Sequence, residues 1–298
     1  MGRQHHRRHR QVLIVGVAAG ILAAGLAGRA LAPSTTVFIH ETFDDAKLAA
    51  RGWYDQVHPL LAPEGPGAAI EYKFNAGATK PTAGSPLRKK FAPSDSVYLT
   101  YRVRYSANWV GSGRPYHPHE FHFLTTLDGD WTGLSFTHLT LYVEENAGVP
   151  LVAIQDGMNV DQTKVGTNLT AATEHRAVAG CNGSADGYQD NCYKAAEGFV
   201  NEKKWKALSK LFADDKWHLV EVFVKLNSIA AGKGVNDGIV QYWLDRRLVI
   251  DHRNVLFRTA ANASMQFNQF IIAPYIGDGS PAAQSFWVDD LTVASGRW

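Results

Sequence analysis

Only two of the 298 residues are cysteine and three are methionine, and charged side chains make up 19% of the chain. So few cysteines exclude a dense disulfide framework and a cysteine-rich metal module. Helical periodicity is scarce, and no internal repeat or low-complexity linker divides the sequence, which leaves a second domain without support. Charge of one sign is also lacking. Residues 1–32 hold five arginines and no acid, and the remaining 25 Lys and Arg against 28 Asp and Glu give a net of −3. A chain so balanced predicts no nucleic-acid partner. A long apolar run occurs once, at Val12–Gly28.

Arg3, Arg7, Arg8 and Arg10 precede that run, and Ala30-Leu31-Ala32 follows it with small residues suited to cleavage, the layout of an export signal. Residues 1–32 therefore read as a signal peptide, with an uncleaved membrane anchor as the alternative because 17 apolar residues approach the lower limit for a span. The mature chain is expected to be secreted or periplasmic, and any membrane contact would run through this segment alone. In that setting Cys181 and Cys192, close together in CNGSADGYQDNC, are expected to pair, a closure that stabilises by about 2 to 3 kcal/mol at most.

The chain as a whole is 45% hydrophobic and 11% aromatic, enough for one large core, and alternation with a period of two beyond residue 32 says how it is built. In YLTYRVRY, Leu99, Tyr101, Val103 and Tyr105 fall on one side and Thr100, Arg102 and Arg104 on the other. Phe121 and Phe123 oppose Glu120 and His122; Leu139, Leu141 and Val143 oppose His138, Thr140 and Tyr142. Val220, Val222, Val224 and Leu226 oppose Glu221, Phe223, Lys225 and Asn227, while Gln241 and Trp243 oppose Val240, Tyr242 and Leu244. The fold class is thus all-β, a single sandwich over 33–298, with short helical insertions predicted at Asp45–Arg51 and Ala195–Phe212.

The polar sides taken together hold arginine, lysine, histidine, amides and aromatic rings, a mixture suited to stacking on sugar rings and holding carboxylates. Four of the nine histidines beyond residue 32 lie within 22 residues, His117, His119, His122 and His138. His117, His119 and His122 with Glu120 are a candidate zinc set, although strict alternation sends His119 and His122 to opposite faces. The rival use is acid–base work. Breaking a uronate chain by β-elimination requires a group to neutralise the carboxylate, a base for the C5 proton and a donor to the leaving oxygen. His122, His138, Tyr142, Lys225 and Arg102 are the candidate catalytic residues. Arg104, Glu120, Glu221, Asn227, Gln241, Trp243 and Tyr275 are the candidate substrate-binding ones. The Glu-x-Asp-x-x-Glu spacing of jelly-roll glycoside hydrolases is absent.

In element order, YLTYRVRYSANW, DGDWTGLSF, DDKWHLVEVFVKLNS, NDGIVQYWLDRRLVID and FWVDDLTVA resemble the concanavalin A-like jelly rolls of polysaccharide lyases. The likeness is to the alginate and glucuronan lyase group, of the kind called polysaccharide lyase family 14, with GSGRPYHPHEFHF standing where that family has Gly-Gly-Lys-Leu-Pro-Gly. The resemblance implies a jelly roll whose concave sheet binds an acidic polysaccharide, with basic and tyrosine residues doing the chemistry and Lys225 matching a family lysine. A non-catalytic carbohydrate-binding module or lectin-like surface protein is the alternative. No cofactor is required on this reading. A structural calcium is expected where Glu41 and Asp44 of the first strand meet Asp289 of the last.

Overall fold

The computed structural model describes residues 35–114, 118–131, 137–155 and 202–298. Residues 1–32, His117, Cys181 and Cys192 lie outside the described residues.

Seventeen strands are described: β1 (Val37–Glu41), β2 (Tyr54–Asp55), β3 (Leu60–Glu64), β4 (Gly67–Phe74), β5 (Leu87–Ser94), β6 (Ser96–Tyr105), β7 (His119–Thr125), β8 (Thr140–Asn146), β9 (Val149–Gln155), β10 (Glu202–Lys206), β11 (Trp217–Lys225), β12 (Ile229–Ala230), β13 (Lys233–Gly234), β14 (Gly238–Leu244), β15 (Arg247–Val255), β16 (Phe267–Tyr275) and β17 (Gln284–Ala294). An eight-stranded antiparallel sheet runs β15-β14-β11-β6-β17-β4-β3, with β1 also on β17; a seven-stranded one runs β10-β9-β8-β7-β16-β5-β2. The two form a jelly-roll sandwich, and β12 and β13 make a separate small ladder.

The strands form where β-branched and aromatic residues alternate with polar ones, because such a pattern gives each sheet one face to bury. From the eight-stranded sheet Leu99, Tyr101, Val103, Val220, Val222, Val240 and Tyr242 enter the core; from the seven-stranded sheet Phe121, Phe123, Leu141, Val143, Val152, Phe270 and Ile272 meet them, all buried. Tyr101 and Phe121 touch across the sandwich with ring centroids 4.4 Å apart. Each large side chain so buried stabilises the fold by about 1.5 to 3 kcal/mol. Tight hairpins hold the register: β8 and β9 are joined by Ala147 and Gly148, both at positive φ, the conformation a two-residue hairpin needs.

Both predicted helices shrink. Asp45–Arg51 contains only a 3-10 turn at Ala49–Arg51. Within Ala195–Phe212 the described residues form β10 instead, paired along β9. The reason is a period of two at its end: Trp205 is buried in the core while Lys204 and Lys206 flank it on the other side.

The interior also holds two carboxyls. Glu120 accepts from the Tyr105 hydroxyl at 3.1 and 3.2 Å, and Glu145 accepts from Trp109 Nε1 and from the Gly148 amide. Burial pushes Glu120 well above the ordinary carboxylate value, helped by the nearby charge of Glu145. Burial likewise raises Glu145 to about 7 from 4.5, against the lowering effect of its two N–H donors. A carboxyl raised on folding contributes stability that is full below the unfolded value and is lost as pH rises through the folded one. Glu120→Gln is therefore expected to gain stability relative to the native protein as pH rises above 4.5, the ordinary carboxylate value, read as the difference in urea midpoints. A difference that is flat or narrows above that value contradicts a raised Glu120.

Candidate functional site

Which outer face carries chemistry is decided by register. Across the seven-stranded sheet, one transverse row joins Arg88 on β5, Ile271 on β16, His122 on β7, Tyr142 on β8, Ala153 on β9 and Lys204 on β10. Paired residues of neighbouring strands share a face, so this row lies on one side of the sheet, with Ile271, His122, Tyr142 and Ala153 buried along its middle. Beside it lie Tyr275 opposite His119, and Glu144 opposite Leu151 and then Lys206.

His119 belongs to this face because alternation fails just after it. Tyr105 bonds Glu120 and Tyr101 contacts Phe121, both from the interior side, so two successive side chains enter the core. His119 and His122, three apart, then emerge together with ring centroids 5.9 Å apart. On the neighbouring strand an irregularity accompanies the change, where the β16 register slips between Ile272 and Tyr275. Bulges of this kind re-aim side chains and recur beside functional sites.

The rings form a compact group. Tyr142 lies 4.8 Å from His119 and 5.1 Å from His122 by ring centroids, and Tyr275 stacks on His119 at 6.2 Å with planes 12° apart. His119 Nδ1 is 2.9 Å from Glu144 Oε1, and the Tyr142 hydroxyl donates to Gln155 Oε1. His122, Tyr142 and Glu144 are buried, His119 is half-buried and Tyr275 is 37% exposed, so the outermost hydroxyl of the group belongs to Tyr275. Near the β5 margin Arg88 pairs with Asp55 at 2.9 Å, donates to Gln269 at 3.2 Å and lies 5.5 Å from the ring centre of Trp131. Lys204 and Lys206 mark the opposite margin.

The expected single polar face is in fact two. Arg102, Arg104, Glu221, Gln241, Trp243 and Lys225 lie on the eight-stranded sheet, whose outer face points away from His122 across the whole sandwich. There Arg104 sits in register between Trp217 and Trp287, its guanidinium 5.4 and 4.5 Å from their ring centres, and Arg102 lies 4.8 Å from Trp217. Asp289 and Asp290 pair with Arg102 at 3.6 Å, Glu64 and Asp215 with Arg104 at 3.8 Å. Glu221 accepts from Tyr98 at 2.6 Å and from Arg297 at 3.0 Å, and Arg297 lies over Trp243 at 4.4 Å. The chain end thus covers this region. Gln241 donates to Asp251, and Lys225 ends β11 exposed.

Three further expectations move for local reasons. Glu120 is an interior group. His138 sits at the other end of β7, where its amide and Nδ1 both reach Asp128 Oδ1, at 2.8 and 3.2 Å. Asn227 is buried and ties a turn, accepting from the amides of Phe257 and Arg258 and donating to the carbonyls of Ser228 and Arg258. The expected calcium set also separates: Glu41 accepts from Arg51, Trp53 and the Phe43 amide, while Asp44 and Asp289 line a different recess with Glu64, Arg102 and Asp290. Among the described residues, Glu41, Asp44 and Asp289 form no group with converging ligand atoms.

Glu144, Gln155, Arg88 and Lys204 were not among the sequence candidates. Glu144 could have been, since it follows Tyr142 by two and alternation places both on one face. His119 carried the opposite signal.

No family model matches the chain, and no curated protein matches it in sequence. Solved structures do match in shape. A PL-14 alginate lyase from Aplysia kurodai superposes with a TM-score of 0.54 at 12% identity, over 87% of this chain and 97% of that one. An alginate lyase from Chlorella virus gives 0.53 at 12% identity, over 88% and 98%. At such identity the shared property is the fold, a jelly-roll sandwich of the alginate lyase kind.

Asn227→Ala removes the acceptor for two amides and is expected to lower stability by about 1 to 3 kcal/mol in urea unfolding. Lys225→Ala, exposed at the end of β11, should stay within about 0.5 kcal/mol. Equal losses would contradict the turn-tying role.

Proposed function

We propose that the chain is a lyase for an acidic, uronate-containing polysaccharide, acting on the outer face of the seven-stranded sheet. The observation that carries this reading is the group His119, His122, Tyr142 and Tyr275, drawn from three adjacent strands, with cationic side chains at both margins. From β5 to β10 the face spans five inter-strand spacings, roughly 24 Å, room for several sugar units. The jelly-roll fold shared with alginate lyases agrees with it, as does the export signal expected in residues 1–32, since such polymers lie outside the cytoplasm.

The chemistry divides among these residues. The imidazoles of His119 and His122 stabilise negative charge on the uronate carboxylate as it becomes enolate-like, the electrostatic part of the task. Glu144 orients His119 through its Nδ1. Tyr275, as phenolate, takes the C5 proton. The C–H electron pair becomes the C4–C5 double bond as the C4–O bond breaks, and Tyr275 returns its proton to the leaving oxygen. Tyr142, held by Gln155, packs both imidazoles in place. Lys204 and Lys206 hold carboxylates of flanking units, while Arg88, tied to Asp55 and stacked on Trp131, braces the β5 margin.

Product formation is read as the ultraviolet absorbance of the unsaturated uronate on alginate and glucuronan. Tyr275→Phe should lower kcat by about 100-fold or more with KM little changed, the size of a lost proton-transfer group. Arg102→Ala and Arg104→Ala should leave both constants unchanged. Loss of polysaccharide binding in either arginine variant would move the site to the other sheet. Binding by the native protein with no product on any polyuronate would favour the lectin-like alternative.

A further inference from the structure

We propose that His119, His122 and Glu144 form a binding site for one divalent transition-metal ion of the zinc class, beside the exposed Tyr275. The inference rests on the lyase reading only for what the ion would do there, not for the ion itself.

The three side chains offer two imidazole nitrogens and one carboxylate oxygen, and these atoms all lie within 4.8 Å of one another, the one such group found among the described residues. Donors about 2.0 to 2.2 Å from a tetrahedral ion stand roughly 3.4 Å apart, so shifts of about 1 Å bring this set onto a metal. His119 Nδ1 and Glu144 Oε1 are already 2.9 Å apart. Two imidazoles and a carboxylate suit zinc, cobalt or nickel better than calcium or magnesium, which take oxygen ligands.

Two features of the fold point the same way. The group exists only because alternation breaks at Glu120–Phe121; a regular β7 would send His119 and His122 to opposite faces. Glu144 is also fully buried at its carboxylate. Packing thus fixes this carboxylate in place beside the His119 imidazole, as a ligand position on a strand should be. The ligand set differs from the one expected from sequence, with Glu144 on β8 taking the place of Glu120, whose carboxyl lies in the core. Three protein ligands leave a fourth position for water or substrate. Beside Tyr275, that position would receive a uronate carboxylate, giving the ion the neutralising role.

The test uses the full chain, dialysed against a chelator and titrated with cobalt(II), followed by its visible d–d absorption, with zinc(II) as competitor. One cobalt per chain, displaced by zinc, is expected. His119→Ala and Glu144→Gln should each weaken binding beyond the 10- to 100-fold that an outer-shell change costs, with circular dichroism and thermal unfolding reporting that each variant is folded. Tyr275→Phe should bind cobalt as the native protein does. Absence of stoichiometric binding by the native chain overturns the proposal. So does binding that survives both ligand variants, because the ion then sits elsewhere, the His5-His6-His9 stretch included. Lyase product formed undiminished by metal-free protein that binds no cobalt would sink the metal site and leave the lyase reading standing. Site-dependent cobalt binding without product on any polyuronate would do the reverse.

Discussion

Glu120 and Phe121 both turn into the interior, one into a hydrogen bond with Tyr105 and the other against the Tyr101 ring. A strand that places two successive side chains on one side must place their outer neighbours together on the other. That constraint sets His119 beside His122, and hence both beside Tyr142 and Glu144. It is maintained from within the sandwich, by the aromatic packing of the two inner faces and by the Glu120–Glu145 pocket with its Tyr105 and Trp109 donors. The polar interior is costly, as the raised carboxyls indicate. Its return is a surface whose donor atoms are fixed by packing, not by loops.

The two outer faces of the sandwich use similar residues for different ends. On the eight-stranded sheet Arg102 and Arg104 are stacked on tryptophan and paired with acids, and Arg297 and Trp298 lie across Glu221, Tyr98 and Trp243. Redirecting those cations to a ligand would cost the stacking and ion pairs they already have. On the seven-stranded sheet the central group is imidazole and phenol with an exposed Tyr275 hydroxyl at its edge, and cations stand at the margins. On the proposed lyase reading, a polyanion laid over it would have its carboxylates held at the margins and its proton transfer carried out at the middle.

Much of the fold was legible because burial leaves a period-two trace. Leu99, Tyr101 and Val103, or Val220, Val222 and Val224, announce an inner face whatever their partners. The same trace cannot say which sheet a strand joins, and so Arg102 and Lys225 were grouped with His122 although they belong to opposite exteriors. It fails wherever pleating fails, which is why His119 was sent to the wrong face. It also cannot separate a polar side chain that faces a ligand from one that ties a turn: Asn227 ends a strand in phase with Lys225 yet closes on Phe257 and Arg258. Near Lys204 the helical reading lost to tertiary context, since Trp205 had a core to enter and β9 an edge to pair.

The most direct test of the central claim is a crystal structure of the Tyr275→Phe chain with a uronate tetrasaccharide. The account predicts sugar density along the row from Arg88 through His122 and Tyr142 to Lys204, with one carboxylate against His119 and His122. Density over Trp217, Arg104 and Trp287 on the opposite sheet, with the histidine face empty, would contradict it.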